Sequence, residues 1–363
     1  MQQVIASLPF PAKIIRGVNA LEQVGKVCKA HGSSVFILGG QTALRKTKEK
    51  ICASLAQAGL QPPVIEWYGG ECSETNVRQL CEKVASCKAD VILAVGGGKA
   101  LDTGKAVAAK CGLPIVTVPT IAATCAAVTP LSVMYNDKKE FASNFFLEDC
   151  PVGTIIDTAV IIDTPAVWLE AGIGDTLAKM YELRAASAKM KPTSLSISAV
   201  SNGDICYDII RLYGQAARQA AKAGNVNSEY ESVVDAIIVG AGMSSIFGGD
   251  TLRNAAAHAI YNGFTIIPDT HAVAHGLIVG YGNLCLLALE GRDDEEILQE
   301  MRLAAACGIP VKLSQIASMT EPQLQAAVEA SAAAKAMACM PFAVTASMVK
   351  EAVFRINALA EQL

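Results

Sequence analysis

Ala94-Val95-Gly96-Gly97-Gly98-Lys99-Ala100-Leu101-Asp102-Thr103-Gly104-Lys105 is the stretch whose reading decides the fold. An apolar run at 91–95 enters three glycines and leaves as a helix with Lys99 in its first turn. Bare backbone N–H groups at such a strand-to-helix turn can face a phosphate, at the end of the helix where its dipole is positive. The spacing is neither the dinucleotide fingerprint, with glycines at first, third and sixth positions, nor a P-loop. A tight turn in an α/β sheet would use the same residues, so the rest of the chain must discriminate.

Around it, apolar runs at 34–38, 64–67, 91–95, 115–118 and 153–156 alternate with helical patterns. Val77, Leu80, Cys81 and Val84 fall at helical spacing behind the capping candidates Ser73 and Thr75. The alternation predicts an α/β domain over 1–163 with a mostly parallel, doubly wound sheet. Beyond Pro165, Ala-rich segments such as 169–188, 233–247 and 324–340 carry helical periods, so 164–363 is expected to be all-helical.

With 363 residues, 52% hydrophobic and 18% charged, the chain is long and apolar enough for two packed cores. A net charge of −4 without basic blocks argues against nucleic acid or an anionic membrane as partner. The apolar stretch 272–289 is interrupted by His275, three glycines, Tyr281 and Asn283 and is not expected to span a bilayer. Twelve cysteines without a C-x-x-C pair, and no secretory signal pattern at the start, fit a cytoplasmic protein with reduced thiols.

Of four histidines, three (His258, His271 and His275) fall in one short stretch of the helical half. Read from residues alone, His271 and His275 would share a helix face as a ligand pair, or be imidazoles satisfied by core hydrogen bonds. Asp175, in Gly172-Ile173-Gly174-Asp175-Thr176-Leu177-Ala178-Lys179, would open a helix after a glycine turn, as a cap or as a ligand.

Taken in order, the glycine run, Pro119-Thr120-Ile121-Ala122-Ala123-Thr124, Gly172-Ile173-Gly174-Asp175, Ala257-His258-Ala259-Ile260-Tyr261-Asn262-Gly263 and His275-Gly276 resemble the glycerol dehydrogenase branch of the iron-containing alcohol dehydrogenase superfamily. The resemblance covers nearly the whole chain. It implies a nucleotide-binding α/β domain, a helical domain, and a catalytic divalent metal in a cleft between them. The metal ligands would be Asp175, His258 and His275, with His271 in a supporting or proton-relay role. Cofactor contacts would fall on Gly97, Gly98, Lys99, Asp102, Thr120, Thr129, Leu131 and Tyr135.

Departures from the pattern refine the expectation. Four-ligand iron enzymes of the superfamily carry a histidine four residues after the aspartate; here it is Lys179, which leaves a site resembling the three-ligand zinc type. Where glycerol dehydrogenases hold the polyol with an aspartate, this chain has Cys125. Lys179 and Arg253 add cations near the ligands in sequence, as an anionic substrate would require, the alternative for Lys179 being a plain pair with Asp175 at helical spacing. In this the chain resembles the hydroxycarboxylate dehydrogenase branch, which acts on 2-oxo acids. Gly40 stands where NAD-preferring relatives carry an acid against the ribose 2′-hydroxyl, so NADPH is expected to be accepted as well as NADH, with Arg45 and Lys46 able to approach a 2′-phosphate. The expectation is therefore a zinc-dependent, NAD(P)-linked reductase of small 2-oxo acids, a homo-oligomer whose partner is a small molecule. The competing readings are a glycerol or other polyol dehydrogenase, a glycerol-1-phosphate dehydrogenase, and a dehydroquinate-synthase-like lyase.

Overall fold

The computed structural model describes residues 8–137 and 140–363. They divide into two compact units, one ending at Thr164 and the other running from Pro165 to Leu363.

The first unit is built on a six-stranded parallel sheet of β1 (Ile14–Gly17), β2 (Val35–Gly39), β3 (Val64–Trp67), β4 (Val91–Gly96), β5 (Ile115–Pro119) and β8 (Gly153–Asp157), ordered β1-β8-β5-β4-β2-β3. The five expected runs are strands within one residue at either end. Strands β2, β4, β5 and β8 are buried throughout, which is why they read as continuous apolar runs without alternation. Val35, Ile37, Val91, Leu93, Val95, Val116 and Val118 share one core with Leu21, Val24, Ile51 and Leu55 of the covering helices. Ser73 caps the helix Glu74–Cys87 by accepting from the Asn76 N–H, whereas Thr75 donates to Asp137 instead.

Three strands lay outside the expectation. The four-residue β1 is too short to show a period, and β6 (Leu131–Tyr135) pairs antiparallel with β7 (Phe141–Phe146) in a separate hairpin of half-exposed, mixed residues.

In sequence order the sheet runs outward from β2 to β3, then returns to place β4 on the other side of β2. The carboxyl ends of β2 and β4 therefore meet at the point where the winding reverses, the crevice in which open α/β sheets bind ligands.

The second unit contains no strand among its described residues. Its longest helix, Ser194–Ala223, packs against Val167–Ser187 and Ala241–Leu252. Ser228–Leu252 is a continuous helical run of 25 residues whose most apolar 18-residue window has a mean hydropathy of 1.5, long and apolar enough to cross a bilayer by composition. Within the unit, Val233, Val234, Ile237, Ile238 and Ile246 of this run are buried, which accounts for its character. A π turn at Ala236–Gly240 lies inside it, and Gly249, at φ +59, kinks it before Arg253.

Candidate metal centre and nucleotide cradle

The three expected ligands come from three helices of the second unit, and glycines set how closely those helices meet. Gly174 and Gly276 face each other so tightly that a Cβ at 174 would overlap the Gly276 carbonyl oxygen, and one at 276 would overlap that of Ala171. A Cβ on Gly282 would come within 2.7 Å of the Ala257 carbonyl, so the third helix, Ala256–Phe264, is drawn in by the same device. This corrects the reading of Asp175 as a helix-opening residue. It lies well inside Val167–Ser187, and Gly172 and Gly174 are interior helical positions.

Asp175, His258 and His275 converge, each with a ligand atom within 4.8 Å of the others. Asp175 Oδ1 is 3.4 Å from His258 Nε2 and 3.6 Å from His275 Nε2. That oxygen is buried without a hydrogen-bond partner. Tetrahedral zinc, with bonds of about 2.0–2.1 Å to nitrogen and oxygen, holds its ligands roughly 3.3–3.5 Å apart, so the donor set and its spacing fit such an ion. The Tyr261 ring packs edge-on against His275 with centroids 4.2 Å apart and fixes the plane of that imidazole.

Burial alone would raise the Asp175 carboxyl, but the Lys179 ammonium and the two imidazoles outweigh it and hold the group well below the usual carboxylate range. Lys179 is itself buried, one turn beyond Asp175 on the same helix. Burial likewise disfavours the charged form of His258, yet the Glu182 carboxylate and Asp175 push its pKa up to about 9 when no metal competes.

Of the other expected residues of this half, Lys179 stands beside the ligands, whereas the His271 ring is engaged elsewhere. His271 lies in the 3-10 turn Pro268–Ala272, exposed, with Nε2 2.7 Å from the Thr265 carbonyl oxygen. It shares no helix face with His275, which begins the helix His275–Leu289, because Val273 and Ala274 are extended between them. Arg253 pairs with Asp250, a turn earlier on its own helix, at 3.4 Å.

In the first unit, β4 ends on Gly96 at φ +151, a conformation that favours glycine, and Gly97 caps the helix Gly98–Cys111. Side chains at 97 would run into Ile121, and Gly104 lets the helix settle against Ala94 of β4. The Gly40 N–H donates to the Val95 carbonyl at 3.2 Å, which places Gly40 beside the cradle at the carboxyl ends of β2 and β4. Its φ of −70 and ψ of 143 suit any residue. Thr120, just beyond β5, donates its N–H to the Gly96 carbonyl at 3.0 Å, so it too borders the cradle.

Three of the expected groups make partners within the protein. The Lys99 ammonium is engaged by Glu71 at 2.6 Å and lies over the Tyr135 ring, 4.9 Å from its centroid. The Asp102 carboxylate points inward, to Lys105 Nζ at 2.9 Å and the Val133 N–H at 3.2 Å. Lys46 pairs with the Asp163 carboxylate at 2.5 Å. The fully buried Lys105 also donates to the carbonyls of Thr129 and Leu131, so it and Asp102 shape the segment carrying both residues. Cys125 sits half-buried in the loop after β5, its carbonyl accepting from the Val128 N–H.

Sequence reasoning missed Glu182. It is fully buried seven residues after Asp175, the spacing that returns to one helix face, and that spacing was the available signal.

Comparison with known proteins follows the same lines. Residues 11–158 match the family described as iron-containing alcohol dehydrogenase. The chain is 36% identical to a glycerol dehydrogenase of Pseudomonas putida over 314 residues, 85% of each protein. It is 40% identical to hydroxycarboxylate dehydrogenase A of Escherichia coli K12 over 228 residues, 62% of this chain and 63% of that one. The structure of glycerol dehydrogenase from Schizosaccharomyces pombe superposes with a TM-score of 0.90 at 28% identity, covering 99% of this chain and 92% of the other.

Proposed function

The chain belongs to the iron-containing alcohol dehydrogenase family, in its glycerol dehydrogenase-like branch, and on that premise we propose that this oxidoreductase interconverts a small 2-oxo acid and its 2-hydroxy acid. Asp175, His258 and His275 would hold a divalent ion, zinc by their donor set and spacing. When bound, the ion supplies a Lewis acid for the substrate oxygen, and a nicotinamide cofactor supplies or takes the hydride.

The chain's own residues do the rest. Gly97 and Gly98 present unscreened N–H groups to the cofactor's phosphates. Gly40 places no carboxylate at the carboxyl end of β2, which admits NADP(H) beside NAD(H).

The observation that carries the substrate class is the buried Lys179 beside Asp175. With Asp175 and Glu182 ionised, Lys179 charged and a divalent ion bound, the site carries a net positive charge. A buried positive site favours an anionic substrate, and a carboxylate is the group that an ammonium and a metal ion both attract. Cys125, at the position of the polyol-binding aspartate, points the same way.

A second reading, a polyol dehydrogenase, is supported by the extent of the match to the glycerol dehydrogenases, which exceeds that to the hydroxycarboxylate enzyme. Zinc-loaded enzyme assayed with 2-oxo acids, 2-hydroxy acids, glycerol and short diols, each with NAD(H) and NADP(H), decides between them. Turnover confined to uncharged polyols overturns the oxo-acid reading.

A further inference from the structure

We propose that Glu182 is a positioning residue that sets the tautomer of His258 and, through it, the strength with which the metal is held. The inference rests on the reading of Asp175, His258 and His275 as metal ligands.

The geometry is specific. Glu182 Oε2 lies 2.6 Å from His258 Nδ1. Its other oxygen accepts two backbone N–H groups, from Ala255 at 2.6 Å and from His258 at 2.9 Å. Ala255 is the cap position of the helix Ala256–Phe264 and has no capping side chain of its own. One carboxylate from a neighbouring helix therefore takes up N–H groups that the start of this helix leaves unpaired, and grips the imidazole that the same helix carries.

An ionised carboxylate only accepts hydrogen bonds, so the nitrogen facing it must carry the proton. With the proton on Nδ1, the neutral ring has its lone pair on Nε2, the atom that faces Asp175 Oδ1 across 3.4 Å. Without this partner the neutral ring could place its proton on Nε2 and present no donor to a metal. Carboxylate, imidazole and metal in series both select the tautomer and make the ligand nitrogen more basic. Because Glu182 and Asp175 are carried by one helix, the partner and the co-ligand keep a fixed separation.

Glu182→Gln separates this role from plain helix capping. The amide has the same shape and keeps an oxygen for the two backbone N–H groups. Its NH2, turned to Nδ1, requires an acceptor there and shifts the ring proton to Nε2. Zn2+ affinity, measured by competition with a chromophoric chelator at a pH where the His258 ring is neutral and without any turnover, is expected to fall 10- to 100-fold. Unchanged Zn2+ affinity in Glu182→Gln overturns the proposal.

Where Glu182→Gln fails to fold, 15N-histidine spectra of the metal-free wild type, at a pH where the ring is neutral, decide. A protonated Nδ1 on the His258 ring, identified by its loss in His258→Asn, supports the assignment, and a bare Nδ1 overturns it. His258→Ala keeps the two readings apart. If that variant retains zinc, the ligand assignment itself is wrong. If it loses zinc while Glu182→Gln retains it, only the role of Glu182 falls.

Discussion

Gly174 and Gly276 touch backbone to backbone, so the separation of Asp175 from His275 is set by the absence of two side chains. The nearest atoms at both positions are main-chain atoms of the opposing helix, which cannot rotate aside. Gly174→Ala is therefore expected to force the helices apart and destabilise the protein by about 1–3 kcal/mol, the range for an overpacked core. The metal should suffer more than the fold, because the ligand spacing changes with the helix distance. Calorimetry with parallel metal analysis checks this, and a Gly174→Ala protein with wild-type melting and full zinc content would contradict it.

His258→Ala and His275→Ala are each expected to lose tightly held metal, whereas His271→Ala should keep it. The first two remove a nitrogen that faces Asp175 Oδ1, while the His271 ring is spent on the Thr265 carbonyl at an exposed turn. Metal content of the purified variants after dialysis is the measurement. Loss of metal from His271→Ala would return that residue to the site.

Much of this arrangement was legible because the decisive signals are local. Three glycines after an apolar run state a turn and a close backbone approach, and buried parallel strands such as β4 announce themselves as unbroken apolar runs. Asp175 was misread for a physical reason. Glycine in sequence signals a turn, but Gly172 and Gly174 are small so that another helix can approach, and that helix begins far along the chain. Glu182 escaped for the same reason, its partners being Ala255 and His258. The pairing of Lys99 with Glu71 and of Lys46 with Asp163 was not legible either, because each carboxylate is brought near by the fold and not by local sequence.

Metal affinity is expected to rise steeply with pH. In the metal-free protein, burial opposes charging His258, but Glu182 and Asp175 overcome this and raise its pKa to about 9. Metal binding must displace that proton, so affinity should climb until pH approaches 9 and level off beyond. Stability of the metal-free protein should move the other way. A raised histidine pKa contributes stability that is fully present below its unfolded value of about 6.5 and is lost as pH rises toward 9. Asp175 and Glu182, both depressed, contribute stability above their unfolded values that is lost in acid. Chelator competition and melting of the metal-free protein between pH 5 and pH 9 test both signs. Zinc affinity independent of pH over about 6–9 would rule the displacement out.

Gly40→Asp should turn the enzyme toward NAD(H). A Cβ at this position meets nothing closer than 3.9 Å, and the backbone there is ordinary extended chain, so the substitution itself is expected to be tolerated. The new carboxylate would stand at the end of β2, where it repels a 2′-phosphate and accepts from a 2′-hydroxyl. At about 5 Å and an effective dielectric near 20, like charges repel by roughly 3 kcal/mol before screening by salt. KM for NADPH should rise at least about tenfold with KM for NADH unchanged or lower. Wild-type enzyme should use NADPH at least as well as NADH, and a strong wild-type preference for NADH would mean that another group reads the ribose.

Lys179→Met tests the substrate class. The side chain is buried and its charge acts on both Asp175 and His258, so its removal changes the electrostatics of the ligands as well as of any bound substrate. A single substrate therefore cannot interpret the variant, and the ratio between two substrates must. If the ammonium stabilises a substrate carboxylate, kcat/KM for a 2-oxo acid should fall by roughly 2–4 kcal/mol, about 30- to 1000-fold, because a desolvated charge loses its partner. An uncharged aldehyde or diol feels only the altered ligands and should lose far less. Arg253→Met serves as the comparison, since that guanidinium is paired with Asp250 on its own helix and should affect both substrates alike. Equal losses for charged and neutral substrates in Lys179→Met would place the polyol reading ahead. A selective loss for the oxo acid in Arg253→Met would instead move the carboxylate partner from Lys179 to Arg253.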